Sequence, residues 1–147
     1  MGSSPYFYFV PFDSDYNAAL AKLRNSEFEA GRYNPVVMFP EFPISKDTES
    51  PGKQHSSIEE AMEEAEEDGT RSILDINTVS EKDDYCNARI LKNEELISIF
   101  GTDKPTHEML ETNYDYFESI ERGKAYCITV FKEDKPSEIY FVGYSFD

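Results

Sequence analysis

Apolar residues along the chain recur at two spacings, one typical of strands and one typical of helices. The run from Tyr6 to Val10 consists of aromatic and β-branched residues and predicts a strand that ends at Pro11. A helix is expected next, with Asp13 or Asp15 as its cap and Gly31 at its end. Its apolar residues lie three or four positions apart, at Tyr16, Ala19, Leu20 and Leu23. Glu27 falls on the same stripe, so a break of the helix at residues 25–26 is the alternative.

The middle of the chain combines a long loop with an acidic helix. Residues 40–56 contain three prolines and predict the longest loop. Ser57 and Glu60 form a capping box for the following helix, which is expected to end at Gly69. The apolar positions of this helix are Ile58, Ala61, Met62 and Ala65. Short strands are expected on either side, at 36–39 and 72–76.

The last part of the chain predicts a strand near 88–91, two helices and a hairpin. The first helix covers Glu94 to Phe100 and is closed by Gly101, and a longer helix runs from Thr106 to Gly123. Alternating apolar residues on both sides of a turn sequence then predict the hairpin. Its parts are a first strand at 125–131, a turn at 134–137 and a second strand at 139–144.

These elements predict an α+β fold in a single domain that spans residues 1–147. The hairpin and the aromatic first strand are expected to share a mainly antiparallel sheet that includes both chain termini. About four helices are expected to pack on one face of that sheet. Strands and helices do not alternate regularly, and neither GxGxxG nor GxxxxGK[ST] is present. The sequence therefore argues against dinucleotide-binding and P-loop chemistry.

The acidity of the chain is concentrated in its middle. The formal net charge is −16, and the segment from His55 to Gly123 holds nineteen acidic and six basic residues. We expect no nucleic-acid partner, because phosphate backbones require clustered lysine and arginine. We also expect neither a membrane span nor a secretory signal. Cys86 and Cys127 fit no metal-binding spacing, so we expect reduced thiols in a cytoplasmic protein without a metal or other cofactor.

The acidic helix that begins at Ser57 carries glutamates at nearly every position outside its apolar stripe. Carboxylates four residues apart on a helix repel each other by about 0.2–0.5 kcal/mol a pair, so this arrangement has a local cost. Three interpretations are open: a solvated face that keeps the protein soluble, a docking surface for a basic protein, or a divalent-cation site without EF-hand spacing. The residues proposed for partner binding are Glu59, Glu60, Glu63, Glu64 and Glu67.

Aromatic residues alternate in the predicted terminal strands and are therefore expected to segregate between the two faces of the sheet. A tyrosine face can pack beneath helices or bind a partner, whereas base stacking is disfavoured by the negative charge of the chain. The expected tyrosine face comprises Tyr6, Tyr8, Tyr126, Tyr140 and Tyr144, and the opposite face comprises Phe7, Phe9, Phe131, Ile139 and Phe141.

A second candidate site combines the turn after the first helix with the start of the acidic helix. Arg32 has two explanations: an ion pair with Glu27, which falls on the apolar stripe of the first helix, or contact with an anionic ligand. His55 precedes the free backbone N–H groups of a helix N-terminus. A catalytic pair of His55 and Ser56 is disfavoured, because adjacent residues rarely meet in that geometry, and no catalytic residue is assigned. The pocket residues would be Arg32, Tyr33, Asn34 and His55.

Two functions are compatible with these patterns. The first is a small acidic protein-interaction domain that binds and inhibits a basic partner. In size and acidity the chain is similar to the immunity and antitoxin proteins that bacteria pair with basic toxins, a resemblance of composition that assigns no residue. The second is a small-ligand-binding or enzymatic domain with a pocket near Arg32, Asn34 and His55.

Overall fold

The computed structural model describes residues 4–37, 44–66, 69–113 and 118–146. Within these residues the main elements are five β-strands, four α-helices and a 3-10 turn, an α+β arrangement as predicted. The strands are β1 (Pro5–Pro11), β2 (Thr78–Ser80), β3 (Asn87–Ile90), β4 (Ala125–Lys132) and β5 (Lys135–Tyr144). The helices are α1 (Tyr16–Ala30), α2 (Ile58–Glu64), α3 (Asn93–Phe100) and α4 (His107–Thr112), and the 3-10 turn is Ile73–Asp75.

The sheet is mixed, so the prediction of a mainly antiparallel sheet is wrong. Its strand order is β1-β5-β4-β3-β2. β5 pairs antiparallel with β1 on one side and with β4 on the other. β3, in contrast, pairs parallel with both β4 and β2. The chain between β3 and β4 contains α3 and α4, and a crossover of this kind brings the next strand back in the same direction.

The first and last described strands lie side by side at one end of this order. β1 pairs with β5 along its whole length, with Tyr8 opposite Phe141, as predicted for the two terminal strands; residues 1–3 and 147 lie outside the described residues. The β4–β5 hairpin turns at Glu133 and Asp134, earlier than the predicted 134–137. Their φ angles of 53° and 64° are those of the two-residue turn that matches strand twist.

Both faces of the sheet are covered by helices, so the prediction of helices on one face is wrong. On one face, Tyr8 and Phe141 share a core with residues of α1. On the other, Phe9 and Tyr140 share a core with residues of α3 and α4. The predicted separation of tyrosines from phenylalanines is also wrong, because the register places a tyrosine of β1 opposite a phenylalanine of β5.

The caps at the helix N-termini follow the predicted residues, whereas α2 ends at Glu64, earlier than the predicted Gly69. The side chain of Asp15 accepts a hydrogen bond from the N–H of Ala18, and Gly31 ends α1 with a φ of 76°. Ser57 caps α2 and Thr106 caps α4 in the same way as Asp15. None of the helices in the described ranges has the length and apolarity that a membrane crossing requires.

Three other segments differ from their predicted structure. Residues 72–76 contain the 3-10 turn instead of a strand, because the Ser72 hydroxyl accepts from the N–H of Leu74 and starts a turn there. α4 ends at Thr112, well before Gly123, and residues 114–117 of the predicted helix lie outside the described residues. Of the strand predicted at 36–39, residue 36 lies in a turn, and residues 38 and 39 are not described.

The outward backbone groups at the two edges of the sheet are hydrogen-bonded to different extents. At the β2 edge the side-chain amide of Asn17 bonds to both the N–H and the C=O of Val79, at 2.9 and 3.1 Å. At the β1 edge the N–H of Phe7 donates to the carbonyl oxygen of Ile44 at 3.4 Å. Residues two apart in a strand direct their backbone groups to the same side, so those of Phe9 also point outward. No described residue bonds to them.

Candidate functional site

The outer side of α2 forms an acidic surface. We call this surface the α2 acidic face and define it by five exposed carboxylates. Ala61 and Ala65 are buried beneath it, whereas Ile58 and Met62 are only half-buried, because this two-turn helix lies at the periphery of the fold. Glu67, also predicted to bind a partner, lies outside the described residues. The five residues of the face are Glu59, Glu60, Glu63, Glu64 and Glu66.

Contacts on the α2 acidic face involve only two of its carboxylates. His55 Nε2 contacts Glu64 Oε2, and Ser56 Oγ contacts Glu60 Oε2. The hydrogen bond from Ser56 lowers the pKa of Glu60. The side chains of the other three residues, Glu59, Glu63 and Glu66, form no hydrogen bond or ion pair with a described residue. Most of the negative charge on this face is therefore uncompensated at contact distance.

Arg32, a predicted pocket residue, forms a two-pronged ion pair with Glu27. Its Nε lies 2.9 Å from Glu27 Oε1, and its terminal nitrogen lies 2.8 Å from Glu27 Oε2. The hydrogen bond to Glu27 raises the pKa of Arg32. Glu27 is fully buried, and α1 continues through it because the guanidinium compensates its charge. The ion pair therefore accounts for both residues.

The remaining predicted pocket residues lie close together but face the interior. The Tyr33 ring is fully buried, and its hydroxyl lies 2.6 Å from His55 Nδ1. Burial raises the pKa of Tyr33. Asn34 Nδ2 donates to the carbonyl oxygen of Gly69 at 3.0 Å. His55, which also contacts Glu64, thus joins the predicted pocket to the α2 acidic face.

The buried carboxylate of Asp75 lies in a polar network behind this turn. The backbone N–H of Asn34 donates to the carbonyl oxygen of Thr70 at 2.7 Å. Thr70 in turn donates its own N–H and its hydroxyl to Asp75 Oδ1, both at 2.8 Å. Asp75 is 4% exposed, and its burial raises its pKa above the ordinary value of 3.8 despite these hydrogen bonds.

We expect Asp75→Asn to stabilise the protein at neutral pH, because the amide keeps the Oδ1 acceptor and removes a buried charge. A raised folded-state pKa means that the stabilising contribution of Asp75 is complete below about pH 3.8 and is lost as the pH rises through the folded-state value. The advantage of Asp75→Asn in urea unfolding should therefore shrink on acidification. Asp84→Asn, at an exposed position, is the control, and a variant less stable than wild type at pH 7 would contradict the expectation.

A groove that the sequence analysis did not anticipate runs along the outer edge of β1, beside His107. His107 Nδ1 lies 2.7 Å from Glu138 Oε1, and His107 Nε2 lies 2.5 Å from Glu111 Oε1. The His107 ring stacks on Phe9 with 3.8 Å between centroids. The helical i,i+4 spacing of His107 and Glu111 was visible in the sequence, but nothing there places Phe9 and Glu138 beside them.

Three cavities make up this feature, which we call the β1 groove. Their volumes are about 340, 270 and 950 Å³. Lys46 lines all three, is exposed, and forms no ion pair with a described residue. Phe9 and His107 line both the first and the third cavity, so these two are adjacent. None of the three is lined by a residue of the predicted pocket at Arg32, Tyr33, Asn34 and His55.

Neither a metal site nor a known relative indicates a function for the described residues. Over the described ranges, no cluster of three or more histidine, cysteine, aspartate or glutamate side chains is suited to hold a metal ion. The chain matches no protein-family model, no curated protein and no solved structure. The α2 acidic face and the β1 groove are therefore the two surfaces whose charge and geometry bear on function.

Proposed function

We propose that the protein is a small, non-enzymatic, cytoplasmic interaction domain that binds and inhibits a basic protein through its α2 acidic face. The observation that carries this proposal is the common exposure of Glu59, Glu63 and Glu66 without an ion-pair partner among the described residues. The repulsion between carboxylates such as Glu59 and Glu63, four residues apart, is met by no ion pair at contact distance among the described residues, although Arg24 attracts Glu59 from farther away. A cationic surface docked on this face would relieve it.

The direction of α2 adds to the attraction for a cation. Glu63 and Glu66 lie at the end of the helix where backbone carbonyls carry partial negative charge, and no basic residue stands in the last turn. Because the net charge of −16 has the same sign as this face, long-range attraction would also speed the encounter with a basic partner. The free thiols of Cys86 and Cys127 fit a reducing compartment such as the cytoplasm.

The geometry supports the interaction domain better than the pocket near Arg32, Asn34 and His55. The guanidinium of Arg32 is occupied by Glu27, and the amide of Asn34 is occupied by a backbone carbonyl. These groups hold the turn after α1 in place, and a ligand would have to break those bonds to reach them. The carboxylates of Glu63 and Glu66, in contrast, already face solvent.

The proposal is tested by reversing charge on the α2 acidic face in the full chain. A basic protein retained from extracts of the source cells by the immobilised wild type is purified, and its association and dissociation rates are measured at low and moderate salt. We expect Glu63→Lys/Glu66→Lys to slow association about tenfold or more at low salt, with a smaller effect as salt rises. The fold should be retained, because both positions are exposed.

A second double reversal separates a specific surface from overall charge. Glu81→Lys/Glu118→Lys changes two exposed carboxylates away from α2 and brings the net charge from −16 to the same −12. We expect this control to bind nearly as fast as the wild type. Equal slowing of association in both variants would show that binding depends on net charge and not on the α2 acidic face. Unchanged association in both variants would contradict the proposal.

A further inference from the structure

The backbone of Phe9 leaves a gap in the outer edge of β1. Ile44 takes the place of a neighbouring strand beside Tyr6 and Phe7. Beyond Ile44, no described residue bonds to the outward N–H and C=O of Phe9. Pro11, the next outward residue, adds a carbonyl oxygen but has no N–H. An extended chain that continued past Ile44 could therefore form backbone hydrogen bonds at Phe9 and Pro11.

The cavities beside this edge differ in chemistry between the two faces of the sheet. The cavity of about 270 Å³ on the α1 side is lined by the apolar side chains of Val10, Phe12 and Leu23. Its polar residues include Asp13 and Lys22, which form an ion pair with each other. This side of the edge therefore suits an apolar side chain.

The α4 side of the edge combines aromatic rings with carboxylates. Phe7, Phe9 and Tyr140 line the cavity of about 340 Å³. A cation in contact with aromatic faces and near carboxylates is favoured by both. Negative side chains outnumber positive ones on this side, and Lys46 is exposed enough to turn toward solvent. The carboxylates lining the two adjacent cavities are Asp47, Glu108, Glu111, Glu133 and Glu138, and the basic side chains are Lys46, Lys132 and His107.

From this juxtaposition we infer that the β1 groove binds an extended protein segment with alternating cationic and apolar side chains, which adds to the sheet as a strand outside β1. Successive side chains of a strand point to opposite faces of its sheet. A segment bonded at Phe9 would therefore direct every second side chain into the apolar α1 side and the others into the carboxylate-lined α4 side. This inference goes beyond the proposed function and does not require the α2 acidic face.

A second copy of the chain is a poorer occupant of the same edge. Pairing two β1 strands would bring together two chains that each carry a net charge of −16, and like charges held close at an interface are unfavourable. A β1 strand would also place its own prolines, Pro5 and Pro11, at the ends of the pairing, where neither has an N–H to donate. A basic segment of another protein meets neither obstacle.

The test uses three short fluorescein-labelled peptides and the full chain. One peptide alternates lysine and valine, one has the same residues with all lysines before all valines, and one alternates glutamate and valine. Fluorescence anisotropy should show the alternating lysine peptide binding about tenfold more tightly than the block peptide of equal charge, because only alternation serves both faces at once. Equal affinity for the two lysine peptides, or tighter binding of the glutamate peptide through Lys46, would overturn the inference.

Amide hydrogen exchange locates the bound peptide without a substitution. In the free protein the N–H of Phe9 should exchange faster than those of Tyr8 and Val10, which face β5. The alternating lysine peptide should slow exchange at Phe9 about tenfold or more, because it supplies the missing acceptor. Binding without protection at Phe9 would contradict strand addition. Protection at Phe9 that rises with protein concentration alone would identify a second copy as the occupant.

Charge reversals separate this groove from the α2 acidic face. Asp47→Lys/Glu111→Lys should weaken the alternating lysine peptide about tenfold, since it reverses two carboxylates of the α4-side cavity. Glu63→Lys/Glu66→Lys has the same net charge and should change that affinity less than about twofold, because distant sites act independently. If Glu63→Lys/Glu66→Lys weakened the peptide and Asp47→Lys/Glu111→Lys did not, the peptide would lie on the α2 acidic face. That result would support the proposed function and overturn strand addition at β1.

Discussion

Arg32→Ala is expected to lower the free energy of unfolding by about 3–5 kcal/mol, the cost of leaving a buried carboxylate without its partner. Glu27 has a fully buried side chain, and both of its oxygens are bound by the Arg32 guanidinium. The loss should be measured by chemical denaturation at neutral pH.

A second arginine in the chain provides a matched control. Arg89 forms an ion pair with Glu95 at 2.7 Å, and the side chains of Arg89 and Arg32 are both 19% exposed. Their partners differ, because the Glu95 side chain is 34% exposed and that of Glu27 is 0% exposed. Arg89→Ala should therefore have a much smaller effect through its ion pair, about 0–1 kcal/mol.

The double variant Glu27→Leu/Arg32→Met identifies the origin of the loss. Replacing both members of a buried ion pair with apolar residues of similar size often costs little, so the double variant should recover most of the stability that Arg32→Ala loses. If Arg32→Ala proved nearly as stable as wild type, the ion pair would not be structural, and the pocket interpretation of Arg32 would regain support.

The end of α1 combines a feature that the sequence predicts, the cap at Gly31, with one that it does not, the burial of Glu27. Helix ends are set by one or two residues acting locally, so the sequence predicts Gly31 and Thr106 as caps and leaves Asp13 and Asp15 for the start of α1, where Asp15 is the cap. Glu27 is harder to interpret, since its burial depends on Arg32 five positions along the chain. From the sequence alone, a break in α1 and a buried ion pair are equally consistent with a glutamate on an apolar stripe.

Sheet topology and the β1 groove depend on longer-range contacts. The parallel pairing of β3 with β4 requires that α3 and α4 cross over the sheet, and the spacing of apolar residues does not reveal the direction of the return. The groove is assembled from β1, β5, α4 and the chain around Lys46. The charges on the α2 acidic face, in contrast, all lie between residues 59 and 66, so their common exposure could be anticipated from the helical pattern.

Gly31 is the residue on which the end of α1 and the following loop both depend. Its φ of 76° is left-handed, and its N–H bonds back to the carbonyl oxygens of Glu27 and Phe28. A Cβ at this position would lie 2.6 Å from the carbonyl carbon of Gly52 and 2.7 Å from Ser50 Oγ. The Ser50 hydroxyl also donates to the Gly31 carbonyl oxygen at 2.7 Å. The loop segment thus packs directly on the bare α-carbon.

Gly31→Ala is expected to cost about 2–5 kcal/mol of unfolding free energy, made up of about 1–2 kcal/mol for a left-handed alanine and about 1–3 kcal/mol for displacing the loop. Gly101→Ala isolates the first contribution, because Gly101 ends α3 with a φ of 79° and a Cβ there would meet nothing within 4 Å. It should cost only about 1–2 kcal/mol. Urea unfolding of both variants gives the difference, which measures how firmly the 50–52 segment is held against α1. Equal losses would mean that this segment moves aside at no cost.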